Sequence, residues 1–303
     1  MTYGKVAGVE LPVSRIVMGT LFAKSVELAG PVFDEFISQG GNCFDTARHY
    51  GGAELVLGEW MRQRGVRDET VVITKGAHTP DCNPEAVSRQ LDESLERLQI
   101  DFVDIYFLHR DNPEVPVGEF VDVLNEQKDS GRIGVFGGSN WSLERVDEAN
   151  EYAAQNGLAG FSVLSNHMSL ARMVEAPWDG CLAASDADSR AWLAERQMPL
   201  FPWSAQARGF FVYGRAGVDL LDDHELVRCW YSDDNFERLK RVCSIAERRG
   251  VDAVSVALAY VLNQQSPTFP LMGPQSVEEA RSSLAALDVE LSSDDVRWLN
   301  LEG

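Results

Sequence analysis

The chain has 303 residues, of which 45% are hydrophobic, and its formal net charge at pH 7 is −20. This size allows one large core, and no Pro/Gly/Ser-rich linker divides the chain, so we expect a single domain over residues 1–303. The acidic excess argues against nucleic acid or an anionic membrane as a partner. In addition, no apolar run reaches the roughly 18 residues of a membrane-spanning helix.

The cysteines form neither a disulfide pattern nor a metal-ligand pattern. Their number is odd and no C-x-x-C spacing occurs, as the positions show: Cys43, Cys82, Cys181, Cys229 and Cys243. Such spacing is typical of reduced thiols, and the first residues lack the apolar stretch of a signal peptide. We therefore expect a cytoplasmic protein without a metal site.

Short apolar runs alternate with amphipathic segments along the chain. The expected strands cover residues 15–18, 43–45, 71–75, 102–109, 133–137, 160–165, 199–202 and 268–271. The expected helices cover residues 26–38, 52–62, 84–98, 117–129, 143–155, 187–195, 236–249, 254–263 and 277–287. This alternation predicts an α/β fold, and eight strand–helix units indicate a (β/α)8 TIM barrel. Residues 166–186 and 204–234 are expected to form long loops at its C-terminal face, where binding loops are common.

Four polar residues in the first third of the chain stand at or just after predicted strand ends. Asp45, Lys75 and His109 each close an apolar run, and Tyr50 follows Asp45 by five positions. Because parallel strands end at one edge of a sheet, we expect the four side chains to converge there. Singly, each residue is more often a packing or surface residue, but the ordered set favours a functional site.

The segments that hold these residues resemble the aldo-keto reductase family. Residues 42–51, NCFDTARHYG, resemble its first signature, ITK at 73–75 its lysine strand and YFLH at 106–109 its histidine strand. GGSN at 137–140 resembles its Ser-Asn cofactor motif. The resemblance extends over nearly the whole chain and implies hydride transfer between a nicotinamide coenzyme and a carbonyl or alcohol.

A carbonyl accepts hydride at carbon and a proton at oxygen, and only a reduced cofactor can supply the hydride. We expect Tyr50 to be the general acid/base. The ammonium of Lys75 should lower the tyrosine pKa from its usual value of about 10. Asp45 should hold Lys75 in place, and His109 should hydrogen-bond the substrate carbonyl.

The resemblance also implies the nicotinamide contacts. Ser139 and Asn140 should bind the carboxamide. Ser165 stands where the family usually has Gln, a longer side chain that also reaches the nicotinamide. That contact with the nicotinamide is therefore lost, bridged by water or made by Asn166. Trp203 occupies the position that stacks on the nicotinamide ring, although a core Trp is the alternative. Further expected coenzyme contacts are Gly19, Thr20, Asp45, Ser204, Gln206 and Gly209.

Residues 273–283 resemble the segment that binds the adenosine phosphate. The expected contacts here are Gly273, Gln275, Glu279 and Ser283. Glu279 stands where many members carry Arg or Gln, and its carboxylate would repel a 2′-phosphate. NADPH is the family default and NADH remains open, while Arg281 either pairs with phosphate or is solvated.

The expected substrate is a small aldehyde, ketone or keto-sugar in a largely apolar pocket. Its candidate residues are Leu21, Phe22, His78, Trp141 and Trp178, with Tyr213 or Trp230 as additions. An NAD-dependent sugar or alcohol dehydrogenase that works oxidatively and a cofactor-binding regulatory subunit are alternatives. A metal-dependent hydrolase would need clustered ligands, and only His109 among five histidines ends a strand. Monomer and homo-oligomer both remain open.

Overall fold

A computed structural model describes residues 1–302 of the chain, so Gly303, the last residue of the expected domain, lies outside the described residues. Parallel strands pair in the order β8-β7-β6-β5-β4-β3-β9, and a short antiparallel hairpin, β1 and β2, precedes them. The strands are β1 Tyr3–Gly4, β2 Val13–Ser14, β3 Val17–Gly19, β4 Cys43–Asp45, β5 Val71–Gly76, β6 Val103–Leu108, β7 Ile133–Ser139, β8 Val163–Ser165 and β9 Leu271–Met272.

The sheet closes through one paired residue, Leu200, where a seventh barrel strand was expected. Leu200 forms parallel bridges to Leu164 and to Thr268. Its N–H donates to the carbonyl of Pro267 at 2.9 Å, and its carbonyl accepts from the N–H of Phe269 at 2.7 Å. The expected strand begins and ends with proline, which has no N–H for a ladder, so only an isolated bridge forms. The predicted (β/α)8 fold is thus confirmed, with its seventh strand reduced.

Helices cover the outside of the barrel. They are α1 Val26–Ser38, α2 Ala53–Arg64, α3 Pro84–Leu98, α4 Val117–Asp129, α5 Leu143–Asn156, α6 Ala187–Arg196, α7 His224–Trp230, α8 Asp233–Arg249, α9 Ala253–Leu262, α10 Val277–Leu284 and α11 Ser293–Leu299. The hairpin, α7 and α11 were not predicted, because two- and seven-residue elements carry too short a periodic pattern. No helix in residues 1–302 has the length and apolarity needed to cross a membrane.

Alternate residues of each strand point into the barrel. In β5, Ile73 belongs to the interior core, whereas Val72 packs against the outer helices. The same alternation puts Asp45, Lys75 and His109 in inward-facing register at the carboxyl ends of β4, β5 and β6. The barrel interior is therefore polar at the carboxyl ends of the strands and apolar below them.

Gly137 in β7 tests how tightly this barrel is packed. An added Cβ would lie 1.8 Å from the carbonyl oxygen of Val163 in the neighbouring strand. We expect Gly137→Ala to lower the free energy of unfolding by at least about 2 kcal/mol, because backbone must move. Urea unfolding followed by circular dichroism measures this change.

Gly30→Ala is the matched control. An added Cβ there meets its nearest neighbours at 3.7 Å, an ordinary contact, and Gly30 lies inside α1. Alanine there should change the free energy of unfolding by less than about 1 kcal/mol, because the gain in helix propensity is offset by crowding against the ring of Pro31, the next residue of the helix. Equal midpoints for Gly137→Ala and the wild type would contradict the close approach of β7 and β8.

Candidate active site

A buried ion pair forms the base of the site. Nζ of Lys75 donates to both carboxylate oxygens of Asp45, at 2.5 and 2.6 Å, and to the carbonyl of Thr46 at 3.0 Å. Both charged side chains are only 2% exposed. The carboxylate and this carbonyl together hold the ammonium in one geometry. The structure thus joins these two predicted residues directly.

Tyr50 and His109 lie beside this pair. Nζ of Lys75 is 5.1 Å from the centre of the Tyr50 ring, and that ring meets the His109 imidazole edge-on at 5.5 Å between centres. Tyr50 reaches this position because the loop after β4 turns back, with its N–H bonded to the carbonyl of Ala47 at 3.0 Å. All four predicted side chains therefore converge at one edge of the barrel.

Burial and the charge of Lys75 shift the pKa of the Tyr50 hydroxyl in opposite directions. Burial raises its pKa above the usual value, and the Lys75 ammonium offsets that rise only in part. The expected net lowering is therefore wrong, because the desolvation of the phenolate outweighs the attraction of the lysine. The group is held as a phenol, the form that can donate a proton.

The other members of the site have defined charge states as well. Burial lowers the pKa of Lys75, but Asp45 and Tyr50 together outweigh it and the net direction is upward, so the ammonium persists. Burial raises the pKa of Asp45, and Lys75 opposes that rise. Burial, aided by Lys75 and Arg110, lowers the pKa of His109 well below its usual value. His109 is therefore a neutral imidazole.

The predicted nicotinamide residues form a connected group across β7 and β8. Ser139 donates to the carbonyl of Ser165 at 2.9 Å, and the Ser165 hydroxyl turns toward the carbonyl of Phe201 at 2.9 Å. Asn140, with a φ of 60°, accepts from the indole N–H of Trp203 at 3.2 Å. Trp203 is half-buried, so part of its ring remains open at the mouth.

Two buried polar atoms, each in the residue that follows a strand end, lack a partner. They are Oγ1 of Thr20 and Oδ1 of Asn166, for which residues 1–302 provide no hydrogen bond. A buried polar group without a partner is costly, so a ligand that bonds them would be stabilised there. The polar groups of a nicotinamide coenzyme fit this need.

The loop after the seventh strand has an unusual backbone. Three non-glycine residues hold positive φ angles, Ser204 at 49°, Ala207 at 47° and Arg208 at 52°, and Gly209 follows at 89°. Strained backbone of this kind is often found in binding loops. Gln206 reaches across from this loop and donates to the hydroxyl of Ser283 on α10 at 3.1 Å. Two predicted coenzyme residues thereby meet.

The start of α10 already binds a carboxylate of the chain itself. Glu279 accepts from the N–H of Gln275 at 2.8 Å and donates its own N–H to Ser276. Arg281, which remained open, pairs with Glu35 on α1 through two contacts of 2.9 and 3.0 Å. The guanidinium that was a candidate for phosphate binding is therefore paired with a carboxylate of the chain. Gly273 lies at the other end of this segment, with Phe22 close to its Cα.

The predicted substrate residues divide into two groups. Leu21, Phe22 and Trp178 are each about two-fifths exposed at the mouth, and half-buried His78 lies with its ring centre 4.9 Å from that of His109. Trp141 is fully buried instead.

Trp141 folds back onto β7 because Gly138 leaves room for its ring, and its indole N–H donates to the carbonyl of Arg110 at 3.1 Å. We therefore no longer assign Trp141 to the pocket. Trp230 is also fully buried, whereas Tyr213 is fully exposed.

Within residues 1–302, no group of three or more His, Cys, Asp or Glu side chains is arranged to hold a metal ion. His78 instead stacks on His49, with 3.8 Å between ring centres. The sequence did not predict this ring stack or the burial of Arg110, because a strand-end pattern gives no information about either.

The sequence profile of the Aldo/keto reductase family matches residues 15–300. The chain belongs to this family. Norsolorinic acid reductase of Aspergillus flavus is 28% identical over 290 residues, which cover 89% of this chain and 70% of that protein. An aryl-alcohol dehydrogenase of Pestalotiopsis microspora is 29% identical over 293 residues, with coverage of 89% and 71%.

The fold is shared with a solved structure. A crystal structure of a thermostable aldo-keto reductase with the inhibitor epalrestat matches all of both chains, with a TM-score of 0.76 and 19% identity. At this identity the likeness shows the fold alone. The resemblance inferred from the four signature segments is thus confirmed at the level of the family.

Asp45→Asn tests the buried ion pair. The change leaves the Lys75 ammonium buried without its carboxylate, so we expect the free energy of unfolding to fall by about 3–5 kcal/mol. Urea unfolding at neutral pH measures the loss. The double variant Asp45→Asn/Lys75→Met removes both charges and should recover much of it. A single variant as stable as the wild type would show that the pair does not support this edge of the barrel.

Proposed function

We propose that the protein is an NAD(P)H-dependent carbonyl reductase in which Tyr50 is the general acid/base. The observation that carries this proposal is the convergence of a neutral phenol, a paired lysine and a neutral imidazole at the carboxyl edge of the barrel. Family membership supports an oxidoreductase that uses a nicotinamide coenzyme. The proposed substrates are small aldehydes, ketones or keto-sugars.

Each residue has a distinct role in this proposal. The coenzyme, when bound, supplies or accepts the hydride. Tyr50 gives its hydroxyl proton to the carbonyl oxygen, and the Lys75 ammonium stabilises the phenolate that results. Asp45 keeps Lys75 charged and in place. His109 donates a hydrogen bond to the carbonyl oxygen and so sets its orientation.

We propose the reductive direction because the Tyr50 phenol is protonated near neutral pH and can donate to a carbonyl oxygen. Oxidation of an alcohol would instead need the phenolate as a base. A relative named aryl-alcohol dehydrogenase nevertheless supports alcohol oxidation as a second candidate reaction, on an aromatic substrate. Comparison of the two directions with benzaldehyde and benzyl alcohol distinguishes the candidates.

We propose that Glu279 reduces the advantage of NADPH over NADH. Its carboxylate already occupies the N–H of Gln275 and would repel a 2′-phosphate at the start of α10, and Arg281 is held by Glu35. NADH lacks that phosphate and meets no such repulsion. NADH is therefore the coenzyme that these contacts favour, against the family default of NADPH.

A cytoplasmic location is part of the proposal. The described cysteines are all free, and Cys43, Cys82, Cys181 and Cys229 are buried thiols. Free thiols are the usual state in a reducing compartment.

Tyr50→Phe should lower kcat for benzaldehyde by at least about 100-fold, because the proton donor is lost. The dissociation constant of the coenzyme, measured by tryptophan fluorescence, should stay close to that of the wild type. Tyr152→Phe is the matched control, since Tyr152 pairs with Asp122 on an outer helix and should keep full turnover. Near-normal turnover by Tyr50→Phe would refute the assigned role.

Glu279→Gln should tighten NADPH binding by about tenfold relative to NADH, because a repulsive charge is removed. Fluorescence titration of the purified protein with each coenzyme gives the ratio of dissociation constants. Glu278→Gln, on the same exposed helical turn, removes an equal charge and should leave the ratio nearly unchanged. An unchanged ratio in Glu279→Gln would show that this carboxylate does not face the adenosine ribose.

A further inference from the structure

Two long loops meet at the mouth of the barrel. Residues 166–186, here called the substrate loop, carry Trp178, and residues 204–222, here called the coenzyme loop, carry Gln206. The ring centre of Trp178 lies 6.2 Å from that of Trp203, so the substrate loop approaches the proposed nicotinamide position. A tryptophan is largely buried on average, whereas Trp178 is 43% exposed. Part of its ring is therefore free to contact a ligand.

Helix α7 holds the backbone of the substrate loop. Arg228 of this helix pairs with Glu175 at 2.5 Å. The same guanidinium donates to the carbonyls of Ala176 and Pro177, at 2.9 and 3.2 Å. The segment that leads directly to Trp178 is therefore fixed to α7.

The first turn of the same helix holds the coenzyme loop through two ion pairs. Arg215 pairs with Asp223, the N-cap of α7, at 3.2 Å, and Arg208 pairs with Glu225. Arg208 has a φ of 52°, and a non-glycine residue in this left-handed region persists only where its surroundings determine it. The ion pair with Glu225 is one contact that holds this conformation.

Arg208 also reaches the substrate loop directly. Its guanidinium carbon lies over the Trp178 ring, 5.3 Å from the ring centre. A cation over an indole face is attracted by the π electrons, and tryptophan is the strongest aromatic partner for this contact. With Glu225 and Trp178 as its partners, the side chain of Arg208 connects α7, the coenzyme loop and the substrate loop.

We propose that Arg208 is a positioning residue that holds Trp178 as a wall of the substrate site, and that this wall selects carbonyl substrates with an aromatic ring. This inference rests on the proposed function and narrows its substrate class. Aromatic rings pack on tryptophan in offset-stacked or edge-on arrangements, with an attraction beyond that of area burial alone. Since Arg208 belongs to the coenzyme loop, a coenzyme that orders this loop would also order the wall.

Arg208→Gln removes the cation and tests this role in the full chain at saturating coenzyme. KM for benzaldehyde should rise by about two- to fivefold, the strength of an exposed cation–π contact, while kcat stays near the wild-type value. KM for acetaldehyde should not change, because this substrate has no ring to pack on the wall. A loosened active site would instead weaken the binding of both aldehydes.

Further variants separate the contact with Trp178 from other properties of the loop. Trp178→Leu should raise KM for benzaldehyde as Arg208→Gln does, and the double variant should raise it no further, because both changes remove one interaction. Arg208→Lys retains a cation and should keep most of the wild-type KM. Arg215→Gln is the matched control, since Arg215 lies against Gly209 and pairs with Asp223, and it should keep the wild-type KM for benzaldehyde.

Three outcomes would overturn the proposal. The first is an unchanged KM for benzaldehyde in Arg208→Gln, and the second is an equal rise in Arg215→Gln. The third concerns the wild type, which should bind benzaldehyde more tightly than cyclohexanecarbaldehyde, a saturated ring of similar size. Equal KM values for these two aldehydes would show that the wall does not select an aromatic ring.

A second readout does not depend on turnover. The difference in fluorescence between a parent and its Trp178→Leu variant reports the emission of Trp178. On an Arg208→Gln background, acrylamide should quench this emission more strongly than on the wild-type background, because the ring face under the guanidinium becomes accessible. Stronger quenching without any turnover by the wild type would refute the proposed function but support the role of Arg208. Turnover of benzaldehyde with unchanged quenching would do the reverse.

Discussion

The buried pair of Asp45 and Lys75 is the interaction on which the site depends. Two opposite charges at 2% exposure are tolerable because each satisfies the other and the ammonium also donates to the carbonyl of Thr46. The pair joins neighbouring strands of the barrel and fixes the Lys75 ammonium 5.1 Å from the centre of the Tyr50 ring.

Much of the fold and of the site could be predicted because successive side chains of a strand point to opposite faces of the sheet. Once the strand ends were located, Asp45, Lys75 and His109 had to share the inner face, since they continue the inward series of their strands. Tyr50 lies in a loop and obeys no such alternation, and only its position five residues after Asp45 placed it with the other three. Helix bounds were also close, because amphipathic segments of ten or more residues carry a clear pattern.

The remaining features depend on tertiary contacts that one sequence does not display. Leu200 closes the barrel through isolated bridges, because the prolines at positions 199 and 202 lack the N–H that a longer ladder needs. Trp141 turns inward because Gly138 leaves space for its ring. The rise in the pKa of Tyr50 reflects a competition between burial and charge, and the residue types alone give only the charge. Arg281 is bound to Glu35, a partner 246 positions away in the sequence.

Asn140 links parts of the molecule that a substrate and a coenzyme would meet separately. Its side-chain oxygen accepts from the indole of Trp203 and from the N–H of Leu182, in the long loop that also carries Trp178. A loop replaced to alter substrate range would therefore disturb the orientation of Asn140 unless its backbone kept that donor. If Asn140 binds the coenzyme and this loop contacts the substrate, as proposed, a change in the loop would also alter coenzyme binding, and we expect the two properties to evolve together.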